Sequence, residues 1–536
     1  MRTPTGRERP ARILRSSRDA AVDNTAAALA VESITQVKRR DLDCIRAGEP
    51  RPVKRALFLT QLGASLTSLA SGSVVASALP SFPLPESAVE PGDVKYEDAR
   101  QDENARLDFR PALIVYCRSR DDVSRSIRWA VANRKSVAIR SGGHDYEGFS
   151  LNNAGMVIDL SQYQGVAVAA GGATAIIRAG TTLSAMYRAL ANAGRTLPGG
   201  SSPSVAVAGL TTGGGYGLMV RRHGLMSDKL RRVRMIDAHG RVRDSATDRL
   251  GRQLLWACRG GGGGSFGVVT DLEYDLVPLP EQVVYFSLRW GWESTTAEDL
   301  LRHWMAWSKD GPRELTSILT LAGGSPKTIR CTGLFLGDAP TLLPLLQVLR
   351  RVATPKRSTI EPLSHLEAID RIAGRRSARQ SWKMKSSFGA APLSVEGVRA
   401  AVRHVEATPP GVTCLLEFDA FGGAVNDIPS AATAFPHRDM CYSLQYQTYW
   451  NQASAADAAF AWIRGAFTAI DPYTRRKSYR NYCDLDLQNW QHRYFAGNYP
   501  RLQAIKAELD PHDVFRFPQS IELARRRRDG SGRKAF

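Results

Sequence analysis

The sequence predicts an α+β fold, and three observations carry that reading. Between residues 107 and 280, short β-like apolar runs alternate with helix-period segments and with glycine clusters. Between 281 and 494 the pattern changes to strand runs separated by amphipathic helices. The chain is also long enough, at 536 residues with 43% hydrophobic and 23% charged side chains, for two to four packed domains. That composition excludes a simple membrane protein, a disulfide-held miniprotein and a disordered scaffold. A formal charge of +20 invites a polyanion-binding reading, but its distribution weakens it. Residues 1–55 carry 13 basic against 7 acidic side chains and residues 522–536 carry 6 against 2, so half of the excess lies in two tails. No nucleic-acid-binding signature accompanies it. Seven scattered cysteines form no C-x-x-C pair and no zinc pattern, and read mostly as buried thiols.

Residues 1–52 are rich in Arg, Ala and Asp and read as a disordered or mis-assigned leader. Residues 53–80 run from Lys54–Arg55 through a moderately apolar stretch to Ala76–Ser77–Ala78, the layout of an export signal, and are too interrupted by small polar residues for a stable membrane span. Export to the periplasm or outside the cell follows if that reading holds, and a cytoplasmic location if it does not. A Pro-rich linker occupies 81–106. From there ALIVYC (112–117) reads as a strand, 121–133 as a helix with Asp121 as its N-cap, and SVAIR (136–140) as a second strand.

That second strand breaks into Ser141-Gly142-Gly143-His144-Asp145. A run without Cβ atoms lets backbone N–H groups approach an anion, although a plain glycine turn with a surface histidine has the same pattern. A second cluster spans 197–225 and includes Ser202, Val205, Gly209 and the run Thr212-Gly213-Gly214-Gly215-Tyr216-Gly217, with Arg221, Arg222 and His223 as nearby positive charge. A third, Arg259 to Thr270, includes Gly263, Gly264, Gly267 and Val269. Three such loops, expected to be flanked by strands, suit a large phosphate-bearing cofactor. None is a P-loop or a Rossmann turn.

RSGGHDYEGFSL (140–151), GSSPSVAVAGLTTGGGYG (200–217), WACRGGGGGSFGVVT (256–270) and the 481–521 segment together resemble the berberine-bridge-enzyme-like FAD-linked oxidases, of the vanillyl-alcohol-oxidase or PCMH type. The resemblance implies a PCMH-type FAD-binding domain of two α/β subdomains at 107–280, with a C-terminal return at 495–521. A substrate domain at 281–494, an antiparallel sheet backed by helices, would lie between them, and a basic tail would follow at 522–536. It implies that Arg140, Ser141, Gly142, Gly143, His144 and Asp145 contact FAD, and that His144 is covalently joined to the flavin. Ser202 stands where many relatives carry a second, cysteine linkage; its hydroxyl forms no thioether, so a single attachment is expected. Val205 is the size of residue that, in this family, lets dioxygen reach the flavin.

On the substrate side, Glu417 and Asp419 share one strand face and either polarise a base or face solvent. Gln445 matches a family glutamine over the flavin. Tyr479-Arg480-Asn481-Tyr482 matches a Y-x-N-Y-x-D segment. From this, Tyr479 is expected as the base, with Tyr482 in reserve and Asn481 holding geometry and contacting FAD. A phenol needs positive charge or a hydrogen-bonded partner to act near neutral pH, and Lys477, Arg480 and His492 are near in sequence. His223 and His437 are expected to be structural. The expected activity is oxidation of an alcohol-type small molecule, a sugar or a secondary metabolite, with dioxygen as acceptor and hydrogen peroxide as product. A dehydrogenase using another acceptor is the alternative, and a polyanion binder the remoter one. No metal or nucleic-acid partner is expected, and the oligomeric state is left open.

Overall fold

A computed structural model describes residues 83–374 and 378–524. The leader, the export-signal segment and nearly all of the basic tail lie outside the described residues. The expected helix after ALIVYC spans Arg120–Ala132 (α1), but its N-cap is Ser119, not Asp121. Ser119 accepts from the Asp122 N–H while Asp122 reaches back, a closed capping box that leaves Asp121 on the exposed first turn.

Strand β1 (Ala88–Val89) pairs antiparallel with β2 (Leu113–Tyr116). Strand β3 (Val137–Arg140) and β2 both pair parallel with β4 (Met156–Asp159), which gives the order β1-β2-β4-β3. A second, antiparallel sheet follows from β5 (Val166–Val168), β6 (Thr174–Arg178), β8 (Leu230–Ile236), β9 (Val242–Asp244) and β10 (Val268–Asp275), in the order β5-β6-β10-β8-β9. A two-residue strand β7 (Arg195–Thr196) pairs with β11 (Val277–Pro278). Helices α2 (Leu183–Ala191), α3 (Val207–Thr212) and α4 (Gly251–Cys258) complete this part. The flanks of two glycine clusters therefore differ from expectation: the second runs into α3 and the third follows α4. The apolar LLWAC run is helical, with Leu254, Trp256, Ala257 and Cys258 buried.

The middle of the chain builds seven antiparallel strands in the order β15-β12-β14-β13-β17-β18-β16. They are β12 (Val283–Gly291), β13 (Leu315–Ala322), β14 (Thr328–Phe335), β15 (Arg357–Leu363), β16 (Ser381–Gly389), β17 (Thr413–Ala420) and β18 (Tyr442–Trp450). Helices α5 (Ser294–Asp310), α6 (Ala339–Val352), α7 (Val395–Glu406) and α8 (Ala456–Ile470) contribute buried residues to this part. Two-residue alternation does the sorting: Leu416 and Phe418 enter the core with Trp304, Leu319 and Ile463, which leaves Glu417 and Asp419 on the opposite face. The first core is separate, and gathers Val115, Ile158, Ile177, Val233 and Leu272 with Leu502, Phe515 and Ile521 from the far end of the chain.

Buried charge ties the parts together. The Lys383 ammonium on β16 pairs with Glu147, from the loop after β3, and with Asp484 at 2.6 Å; Lys385 donates to the other Asp484 oxygen at 2.6 Å. Burial opposes the Lys383 charge, but Asp484 and Glu147 outweigh it and hold its pKa above the usual value. All six cysteines among the described residues are free and buried, and burial pushes Cys258 up to about 12.

Candidate active site

A cavity of about 700 Å³ lies between the glycine loops and the open face of β16, β17 and β18. The glycine side is made by close backbone approach. A Cβ on Gly142 would stand 2.7 Å from the Ala206 nitrogen, and one on Gly217 would collide with the Gly199 carbonyl. Ser141, Gly142, Gly143, His144 and Asp145 line this side, as do Ser202, Val205, Gly209, Thr212, Tyr216, Gly217, Gly263, Gly264, Gly267, Val269 and Asn481. A wall this rich in glycine fits a flat ring system with a phosphate-bearing tail, which is what FAD presents.

Five predicted residues fall elsewhere. The Arg140 guanidinium is buried away from the cavity, donating to Asp159 and, at 2.6 Å, to the Ala99 carbonyl. Gly213, Gly214 and Gly215 make room for the C-terminal segment instead of for a cofactor: Asn481 sits against Gly213, and the Tyr479 ring and Phe435 lie over Gly214. Tyr479 itself is 1% exposed and does not reach the cavity. Its hydroxyl oxygen accepts from the Gly215 N–H at 2.7 Å and from Asn481 Nδ2 at 2.9 Å, and burial raises its pKa. The cations expected near it are engaged otherwise. Lys477 contacts His492 at 2.6 Å near the surface, and Arg480 lies over the Phe149 and Phe517 rings. Arg221 donates to the Gly311 carbonyl and Arg222 pairs with Glu314. His437 is packed between Phe388 and Phe435, and burial drives its pKa down to about 3.

Of the two candidate bases, Tyr482 is the one that lines the cavity. Its ring stacks on Tyr146 (centroids 5.2 Å apart, planes at 6°), and Trp382 meets Tyr146 edge-on at 4.7 Å. The Tyr482 ring meets the Tyr216 ring edge-on, with centroids 6.0 Å apart, and the Tyr216 hydroxyl donates to Asp419 Oδ2 at 2.9 Å and lies 3.0 Å from Ser443 Oγ. Burial raises the Asp419 pKa well above the carboxylate range, and the neighbouring Glu417 adds to it. Burial also raises Glu417, against the pull of Arg330 and a hydrogen bond from Gln447. The face shared by Glu417 and Asp419 therefore points into the cavity, not to bulk solvent.

Cross-strand register places Gln445 directly opposite Glu417. Gln447 Nε2 donates to Gln445 Oε1 at 3.2 Å, and the Tyr449 hydroxyl donates to Gln447 Oε1 at 2.8 Å. Gln445, Gln447 and Tyr449 all line the cavity. Sequence reasoning missed Tyr146, Trp382, Met384 and Tyr449 as lining residues. The alternation Trp382-Lys383-Met384-Lys385 was a usable signal, but it reads with the lysines toward water, whereas here they are buried on carboxylates.

Two family profiles match the chain: "FAD binding domain" over residues 111–246 and "Berberine and berberine like" over residues 478–522. The chain is 34% identical over 439 residues to an uncharacterized FAD-linked oxidoreductase, YgaK, of Bacillus subtilis, covering 81% of this chain and 96% of that protein. It is 32% identical over 428 residues to the monolignol oxidoreductase AtBBE-like 13 of Arabidopsis thaliana, covering 72% and 79%. Among solved structures, Physcomitrella patens BBE-like 1 superposes with a TM-score of 0.77 at 27% identity, over 82% of this chain and 97% of that one.

Proposed function

The chain belongs to the berberine-bridge-enzyme-like family of FAD-linked oxidoreductases, and from that premise we propose that it oxidises a small alcohol-type substrate, a sugar or a secondary metabolite, and passes the electrons to dioxygen. Bound FAD would supply the redox chemistry, accepting two electrons from the substrate and passing them to dioxygen, with hydrogen peroxide as product. The wall made by Ser141 to Asp145, by Gly209, Thr212 and Gly217, and by Gly263, Gly264 and Gly267 holds the cofactor. His144 anchors it covalently, and Ser202 adds no second bond.

The residues facing that wall do the proton work. Tyr482 takes the proton of the substrate hydroxyl and passes its own toward the neighbouring Tyr216, whose hydroxyl is hydrogen-bonded to Asp419. No tyrosinate need persist in this relay. An isolated buried phenol is a poor base, and the Tyr482 pKa stands well above 10, with burial first and the charges around it second. A buried carboxylate whose pKa is raised is a competent proton acceptor near neutral pH. Gln445 and Gln447 hold the substrate's other polar groups, and the Tyr146–Trp382 surface packs against its body.

The observation that carries this reading is the Tyr216–Asp419 hydrogen bond on the cavity, with Tyr482 packed beside it and the glycine cradle facing it. It is tested by assaying peroxide release with oligosaccharides, primary alcohols and aryl alcohols, in air and with an artificial acceptor. Peroxide in step with substrate loss is expected. Turnover with the artificial acceptor alone would make the protein a dehydrogenase. Acid precipitation should give a yellow pellet that is lost in His144→Ala; a colourless wild-type pellet would refute covalent attachment.

A further inference from the structure

The hydrogen bond between His144 Nε2 and the Ser204 hydroxyl, at 3.0 Å, joins two glycine-cradle loops that are distant in sequence. His144 stands on the loop after β3, and Ser204 precedes α3. The loops are built against each other, because the Cβ missing at Gly142 is replaced by the Ala206 backbone and by the Ser204 carbonyl, which would lie 3.3 Å from such an atom. His144 lines the cavity and Ser204 does not.

We infer that Ser204 is the positioning residue for flavin attachment: it holds the His144 ring by Nε2 and thereby makes Nδ1 the nitrogen that bonds to the flavin 8α-carbon. This rests on the proposed covalent attachment through His144. Attack on carbon needs a lone pair, and a neutral imidazole carries its proton on one nitrogen only. In the reactive tautomer that proton is on Nε2, where the Ser204 oxygen accepts it, and the lone pair is on Nδ1. The same contact fixes the ring's rotation, so the nucleophile is aimed before the cofactor arrives.

The balance of the step is simple. The 8α-methyl group loses a proton, a carbon–nitrogen bond forms at Nδ1, and the isoalloxazine ring takes up the electron pair and a proton, leaving the linked flavin reduced. Dioxygen then takes two electrons and two protons to give hydrogen peroxide, which returns the linked flavin to its oxidised form. As the bond forms, the imidazole gains positive charge, and Ser204 stabilises it by accepting from Nε2–H.

The test uses the full chain produced in a riboflavin-starved host and mixed with saturating FAD in air. Bound flavin is followed by fluorescence quenching, and linked flavin by acid-stable colour and by the mass of the His144 peptide. A wild-type chain that quenches FAD but never links it removes covalent attachment itself, and this inference with it. With the wild type linking, Ser204→Ala is expected to link at least about tenfold more slowly per bound flavin, and Ser204→Thr, which keeps the hydroxyl, to recover most of that rate. Equal linking rates in the wild type and Ser204→Ala overturn the inference.

Discussion

On the cradle side of the cavity the chain offers backbone, at glycines such as 142, 217 and 263, whereas on the facing wall it offers the side chains of Glu417, Asp419, Gln445 and Gln447. At Gly142 and Gly217 the first surface has no room for an added atom. The second is an array of polar groups on the neighbouring strands β17 and β18. The contrast assigns the common task, holding one cofactor, to the rigid backbone surface, and the particular task, choosing a substrate, to the surface that can vary.

The largest expected effect tests the facing wall. Tyr482→Phe should lower kcat by roughly 10²–10⁴ while the protein stays yellow, because proton removal is lost and the cradle is untouched; a kcat within threefold of wild type would place the base elsewhere. Asp419→Asn should lower kcat by about 10²-fold and abolish the acidic limb of the pH–rate profile. The sign follows from its raised pKa: the relay works when Asp419 is ionised, so turnover falls as pH drops through that value. Stability runs the other way. A carboxyl whose folded pKa lies above its unfolded value binds more protons in the native state, so the cofactor-free chain loses stability as pH rises between the two. Cofactor-free Asp419→Asn should accordingly melt higher than the cofactor-free wild type at neutral pH.

On the cradle side, Gly217→Ala should cost about 2 kcal/mol by forcing the Gly199 backbone away, read as a lower Tm and weakened FAD retention. Unchanged flavin content and Tm would show that this wall is looser than its packing implies. The smallest effect separates the two tyrosines. Tyr479→Phe strips an acceptor from Gly215 N–H and Asn481 and should cost about 1–2 kcal/mol of stability, with kcat reduced less than tenfold. A loss matching that of Tyr482→Phe would return Tyr479 to the chemistry.

The same division explains what could be read from the sequence. The cradle announces itself, since close backbone approach needs glycine and glycine clusters are visible in one dimension. His144, Ser202, Gly209 and Gly263 were all placed on the cavity from such runs. The Gly213–Gly215 run shows the limit: its glycines admit Asn481 and Tyr479, more than 260 residues away, and look no different from cofactor glycines. The facing wall was legible only as alternation. That gave the shared face of Glu417 and Asp419 but not whether it met water or a cavity, because the answer depends on which domain the sheet packs against. The choice between Tyr479 and Tyr482 was out of reach for a similar reason. Two tyrosines three residues apart in irregular backbone point where tertiary contacts send them.

The buried pairing of Lys383 with Glu147 and Asp484 has a consequence for biosynthesis. Its three members are synthesised far apart in time, and Lys383 has its full complement of partners only when Asp484 has left the ribosome. Phe515 and Ile521 complete the first core later still. The nascent chain therefore carries the glycine loops for most of translation without the surfaces that close over them. Cofactor capture therefore awaits the segment from Asp484 to Ile521.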